Sequence, residues 1–245
     1  MGEPVQMLWI GSRLSNLERL SMASFLANGH PVRLFAYEAI EGVPPGVELH
    51  DGRDVMPADS VFTYADGFGK GSPAAFANLF RYKLLLDHGG YWSDTDTVCL
   101  KPFDFPGEYV IGCERLPSHA IKDGKTVRLA VGVVKVPPNS PVMQECYAVA
   151  KEANPRQVRW GEIGPELVTR SFARHGLVSG ALHPDAFYPL DWWNTRELVT
   201  KPLDVPAESY AVHLWNQLWA HRGMDKDATY PADCAYEMLK RRYGV

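Results

Sequence analysis

Residues 74–100 read AAFANLFRYKLLLDHGGYWSDTDTVCL, and the local rules change twice within them. Phe76, Leu79, Phe80 and Leu84 recur at helical spacing and give one buried stripe. Ser72-Pro73 just ahead supplies a capping serine and a first-turn proline, and Gly89-Gly90 supplies the stop. A short aromatic and β-branched run follows, with two acids set into it, which reads as a strand. Alternation puts Asp94 and Asp96 on one face where that strand ends.

Working outward toward the N-terminus, residues 5–10 (VQMLWI) form an apolar run bounded by Gly11, a buried strand. Ser15 to Glu18 has capping-box spacing, and a helix can follow to Asn28 with Gly29 as its stop. Residues 32–37 (VRLFAY) are the next strand. Strand, helix and strand in so short a span make a βαβ unit, hence a parallel sheet covered on both faces. Residues 41–71 are rich in Gly, Pro and Asp and read as a long connection with short elements. Toward the C-terminus, strands are expected over 109–113 and 129–136, a helix opening at Ser140-Pro141, another over 166–175, and a last one between Ala232 and Tyr243. The expectation is one α/β domain over residues 1–245, with a mixed, mainly parallel central sheet flanked by helices.

The composition is that of an ordinary soluble protein: 245 residues, 46% hydrophobic and 22% charged, with a net charge of −4 from 25 basic and 29 acidic residues. Such a balance gives no reason to expect nucleic acid as a partner. Cys99, Cys113, Cys146 and Cys234 contain no Cys-x-x-Cys pair and read as buried free thiols in a reducing compartment. The start, Met1-Gly2-Glu3-Pro4, lacks the features of a signal peptide, and no apolar run is long enough to span a bilayer. The expected location is the cytoplasm, or the periphery of the membrane's inner face; the chain could also be cut from a longer protein.

A bare Asp-x-Asp is a weak signal, and a second one, Asp225-Lys-Asp227, stands in a polar stretch read as a solvated loop. The setting of Asp94 and Asp96 carries more. In open α/β sheets ligands bind at the carboxyl ends of strands, where this reading places the pair. With no Lys or Arg between Leu86 and Leu100, two carboxylates there repel unless a cation joins them. Oxygen ligands suit Mg²⁺ or Mn²⁺, which keep positions open for substrate phosphates. The other reading of the residues alone is a pair of turn or cap aspartates.

The stretch FANLFRYKLLLDHGGYWSDTDTVCLKPFD (76–104) resembles the Asp-x-Asp sugar-transferase family with a GT-A-type, Rossmann-like fold, related to α-1,4-glycosyltransferases, yeast-type mannosyltransferases and clostridial glucosylating toxins. The likeness extends from Leu8 to about Trp219. It implies a retaining, metal-dependent hexosyltransferase using a nucleotide-sugar, a UDP-hexose in the first instance, on a glycan, lipid-linked or other hydroxyl acceptor. The donor half would lie in residues 1–105, and the acceptor side and closing loop in 106–245. Trp9, with Ile10 and Gly11, would stack on the base; from the residues alone, a core tryptophan is the favoured reading. Arg81, with Tyr82 beside it, would reach the donor's phosphate and sugar. Asn78 stands where relatives often carry Asp. Asp94 would hold ribose and a metal-bound water, Thr95 would border the donor, and Asp96 would ligate the metal. His213 would be a third ligand, and imidazole favours Mn²⁺ over Mg²⁺. Gly164, Asn216 and Trp219 complete the expected donor contacts. The aromatic cluster Tyr188 to Trp193 could bind acceptor or could be core. Two rival readings stand beside this one: a toxin-like transferase acting on protein, which shares every donor-side residue, and a non-catalytic carbohydrate-binding module with a cation at Asp94 and Asp96, which has no need of Trp9, Arg81 and the His213 loop together.

Overall fold

The computed structural model describes residues 2–121 and 124–245. Strand β1 (Val5–Trp9) leads into α1 (Asn16–Ala27) and back to β2 (Val32–Ala36), which pairs parallel to β1 with Val5 opposite Val32. The capping box holds the start of α1: the Glu18 carboxylate accepts from the Ser15 backbone N–H at 2.8 Å, while the Ser15 side chain caps the first turn. One element was not legible. β3 (Val47–Asp51) pairs parallel to β2 inside the stretch read as a connection. It is an edge strand, with Leu49 56% exposed, so burial imposes no alternation on its sequence.

Helix α2 (Ala74–His88) starts one residue after the proline, with Ser72 Oγ accepting the Ala74 N–H at 3.3 Å. Its burial goes well beyond the apolar stripe: Asn78, Arg81 and Tyr82 are buried too, because the helix is enclosed between the sheet, α3 (Pro141–Ala150) and the segment before α4 (Leu167–Arg174). It ends at Gly89, whose φ of 61° and close approach to Pro138 both require glycine. β4 (Gly90–Ser93) pairs parallel to β1, then antiparallel to β7 (Val127–Val136), which pairs antiparallel to β6 (Val110–Arg115). The order is β3-β2-β1-β4-β7-β6, a six-stranded sheet in which β7 alone runs against the rest.

Alternation along β1 divides the core. Leu8 joins Phe80, Trp92 and Val134 on the α2 face, while Val5 and Met7 join Phe25 and Tyr91 on the α1 face. A second sheet of two antiparallel strands, β5 (Thr97–Cys99) and β8 (Ala211–His213), packs with α1 and α6 (Ala235–Tyr243) through Leu17, Val98, Val212 and Leu239. All four cysteines are free, and three are buried. No helix among the described residues is long and apolar enough to cross a membrane.

Two departures matter for the site. Asp94 and Asp96 do not share a strand face by alternation; they lie in the tight turn where the chain leaves β4 for β5, closed by the Thr97 N–H donating to the Asp94 carbonyl at 3.2 Å. The β6–β7 pairing also slips. Ile111 faces Val134 but Cys113 faces Leu129, so residues 130–133 of β7 oppose Gly112 alone. Within this bulge, on its other edge, the Gly132 carbonyl accepts the Asp94 N–H at 2.7 Å and carries the β4–β7 register one residue past Ser93.

Candidate active site

The strand ends, the turn and the bulge surround a cavity of about 770 Å³, within the range of small-molecule sites. Three groups converge in it. His213 Nε2 lies 3.2 Å from Asp96 Oδ1 and 4.0 Å from Asp94 Oδ2. One ligand atom from each of the three side chains falls within 4.8 Å of the others, a spacing and donor set that fit a single divalent cation.

Each group is held from behind. Asp94 Oδ1 accepts from Arg81 Nη2 at 2.6 Å and from Trp92 Nε1 at 2.8 Å, leaving Oδ2 toward His213. Asp96 Oδ2 accepts from the Asn216 N–H at 2.8 Å, at the start of α5 (Asn216–His221), leaving Oδ1 toward His213. The Trp215 N–H points at His213 Nδ1 at 3.2 Å, which leaves Nε2 facing the acids. Outer partners of this kind orient ligands. Gly132 is what makes room: a Cβ there would stand 2.9 Å from His213 Cδ2 and 3.0 Å from the Tyr188 hydroxyl.

The electrostatics follow from this geometry. Burial pushes the Asp94 pKa up, but the Arg81 charge, His213 and the Trp92 hydrogen bond outweigh it and hold the carboxyl well below the usual range. For His213, burial disfavours the imidazolium. The carboxylate of Asp96, then that of Asp94, prevails and pushes the pKa up to about 10. The acids are therefore not uncompensated, as the sequence suggested. Arg81 reaches Asp94 from α2, thirteen residues earlier, and His213 comes from β8 near the far end of the chain.

Of the residues singled out from the sequence, Trp9, Ile10, Asn78, Arg81, Asp94, Thr95, Asp96, His213 and Asn216 line the cavity. Asn78 Oδ1 accepts from Arg81 Nη1 at 2.6 Å and so shares in fixing the guanidinium. Four stand behind the wall. The Tyr82 hydroxyl is buried and donates to the Ile163 carbonyl at 2.8 Å. Gly164 backs onto Asn78, whose Nδ2 would lie 3.0 Å from a Cβ there. Gly11 packs under the Trp9 indole. Trp219 is core, its Nε1 donating to the Leu214 carbonyl at 2.8 Å. These four shape the site rather than present atoms to it; a core tryptophan and a plain hydroxyl carry no sign in sequence of which side they face. Asp225 and Asp227 are exposed, and Asp227 Oδ1 accepts the Asn16 N–H at 2.8 Å at the start of α1.

Comparison with known proteins fits this geometry. Residues 56–115 match a glycosyltransferase sugar-binding region containing a DXD motif, and residues 138–243 match the α-1,4-glycosyltransferase conserved region. The first carries Arg81, Asp94 and Asp96; the second carries His213 and Asn216. The chain is homologous to the α-1,4-glycosyltransferases. The human α-1,4-N-acetylglucosaminyltransferase is 26% identical over 56% of this chain and 41% of its own length. The rat lactosylceramide 4-α-galactosyltransferase is 36% identical over 24% of this chain and 21% of its own. The matched stretch thus spans less than half of either relative. The solved PaToxG glycosyltransferase superposes with a TM-score of 0.50 at 16% identity, covering 98% of this chain and 84% of that one, a likeness of fold.

Proposed function

We propose that this glycosyltransferase homologue transfers a hexose from a UDP-sugar to a hydroxyl of a glycan or lipid-linked acceptor, with retention of the α configuration and dependence on Mn²⁺ or Mg²⁺. The observation that carries this reading is the directed set of Asp94, Asp96 and His213. Each has one atom fixed by the protein and another turned toward a common point, beside a buried guanidinium. A divalent cation held there supplies positive charge to the leaving diphosphate.

The protein's own groups do the rest. Trp9, half-buried at the end of β1 with Nε1 lacking a hydrogen-bond partner among the described residues, offers its face to the base. Arg81, held by Asn78 and Asp94 and lying over the Trp92 ring at 4.8 Å, adds fixed positive charge that needs no reorganisation. The Asn216 N–H ties the start of α5 to Asp96. Residues 1–105 serve as the donor half and 106–245 as the acceptor and closing half of one transferase domain, working in the cytoplasm or at the membrane's inner face, where free thiols persist.

The test is calorimetric titration of UDP, with and without Mn²⁺, into the protein and Asp96→Ala. Metal-dependent binding that the variant loses supports the reading. A native protein that binds neither UDP nor another nucleotide diphosphate overturns it and leaves a carbohydrate-binding module. Retention is read from the anomeric configuration of the first product by NMR.

A further inference from the structure

The cavity holds a second charged pair that the donor site leaves unused. Glu114 on β6 and Arg128 on β7 stand directly opposite in register, below the bulge, and both line the cavity. Glu114 is buried, its side chain 6% exposed, and its Oε1 accepts from Arg128 Nε at 2.6 Å. Among the described residues its Oε2 has no hydrogen-bond partner and is not sealed from solvent, and the two terminal nitrogens of Arg128 have none either. A buried ion pair made only for stability gains little over apolar packing. One that leaves an acceptor oxygen and two donor nitrogens unpaired, on two residues that line a cavity, is suited to a polar ligand.

Its place in the site is set by the strand. Gly132, whose carbonyl holds Asp94, lies four residues along β7 from Arg128. Four residues span at most about 14 Å, a distance that one or two sugar rings bridge. Between them the cavity is lined by Ala130, Val131 and Gly132, none of them larger than valine. Trp192 and Trp215, half-buried, also line the cavity and offer flat faces to the C–H surface of a sugar. The charge of the pair decides the ligand class: Arg128 is already neutralised by Glu114, so an anionic group would meet the free carboxylate oxygen and be repelled. A pair of hydroxyls can donate to Glu114 and accept from Arg128 together.

We infer that Glu114 and Arg128 form an acceptor subsite for a neutral, hydroxyl-bearing sugar ring next to the ring that receives the hexose, so that the acceptor is a neutral oligosaccharide or its glycoside. This rests on the transferase reading above. The experiment screens the UDP–Mn²⁺-loaded protein by saturation-transfer NMR against lactose, N-acetyllactosamine, maltose, chitobiose and cellobiose, with a uronic-acid disaccharide as the anionic probe. Affinities are then measured for Glu114→Gln and Arg128→Met. The expected result is binding of at least one neutral disaccharide, weakened tenfold or more in both variants, with UDP affinity unchanged. Three results would overturn the subsite: no neutral disaccharide bound by a protein that binds UDP, a preference for the uronic-acid probe, or equal disaccharide affinity in variants and native protein. Loss of UDP binding by the native protein is a separate failure, that of the transferase reading itself.

Discussion

Gly132→Ala isolates the part of the site that no motif contains. The added Cβ would stand 2.9 Å from His213 Cδ2, 3.0 Å from its Nε2 and 3.0 Å from the Tyr188 hydroxyl. Ordinary contact begins at 3.4 Å, so the neighbours must retreat by about 0.5 Å. Neither is free to do so. His213 is pinned by the Trp215 N–H and Asp96, and the buried Tyr188 hydroxyl accepts the Val133 N–H at 3.0 Å. The backbone cannot slide either, because the Gly132 carbonyl holds Asp94. Overpacking of this kind costs about 1–3 kcal/mol of stability. Displacing an oriented ligand costs metal affinity of about 10- to 100-fold. Gly52→Ala is the control: its Cβ would stand 2.7 Å from Tyr37 Cε2, outside the cavity lining. Thermal denaturation should show both variants destabilised, while titration of UDP–Mn²⁺ should show only Gly132→Ala weakened. If Gly132→Ala binds within twofold of the native protein at a lowered Tm, the bulge does not position His213 and the reasoning is wrong.

Removing the Arg81 charge with Arg81→Met leaves Asp94 without its cation. Because Arg81 is 3% exposed and Asp94 28%, the cost in urea unfolding should be about 3 kcal/mol, the low end for breaking a buried pair. The ion-free protein should lose stability as the solution becomes more alkaline. The His213 pKa is raised to about 10, so its contribution is whole below its ordinary value near 6.5 and drains away as pH rises toward 10. Tm measured against pH in chelator should fall across that window, and His213→Gln should flatten the slope. Ser15→Ala removes a helix cap and one partner of the buried Glu18, and should cost about 1 kcal/mol by denaturant unfolding with UDP binding unchanged.

The βαβ start, the helix from Ala74 and the strand pair after Tyr109 were legible because burial leaves a period in the sequence. β3 was not, since an edge strand with Leu49 in solvent has no such period to keep. The acids were legible as a pair, but their geometry was misplaced: alternation holds only while the chain stays in a sheet, and it leaves β4 at Ser93. His213 could be named only through the family likeness, because nothing near it in sequence distinguishes a ligand from a core histidine. Gly132, Glu114 and Arg128 were missed outright. A three-residue slip between strands has no local signature, and a glycine in a valine-rich strand reads as a weak point rather than as space reserved for an imidazole.

The strongest sequence argument for a cation was repulsion between two lone carboxylates, and the structure removes its premise. Arg81 already compensates Asp94 and His213 already compensates Asp96. What argues for a cation instead is direction. Compensation alone would be served as well by both oxygens of each acid turned to its partner. Here one oxygen of each is tied back, to Arg81 and Trp92 or to the Asn216 N–H, and the other is aimed at His213 Nε2. Without a metal, the proton that His213 shares with Asp96 occupies the position an ion would need. Ion binding must therefore release that proton, and affinity should rise with pH through the same window in which the ion-free protein loses stability. The two slopes have opposite sign and a common origin, and finding one without the other would separate a metal site from a buried ion pair.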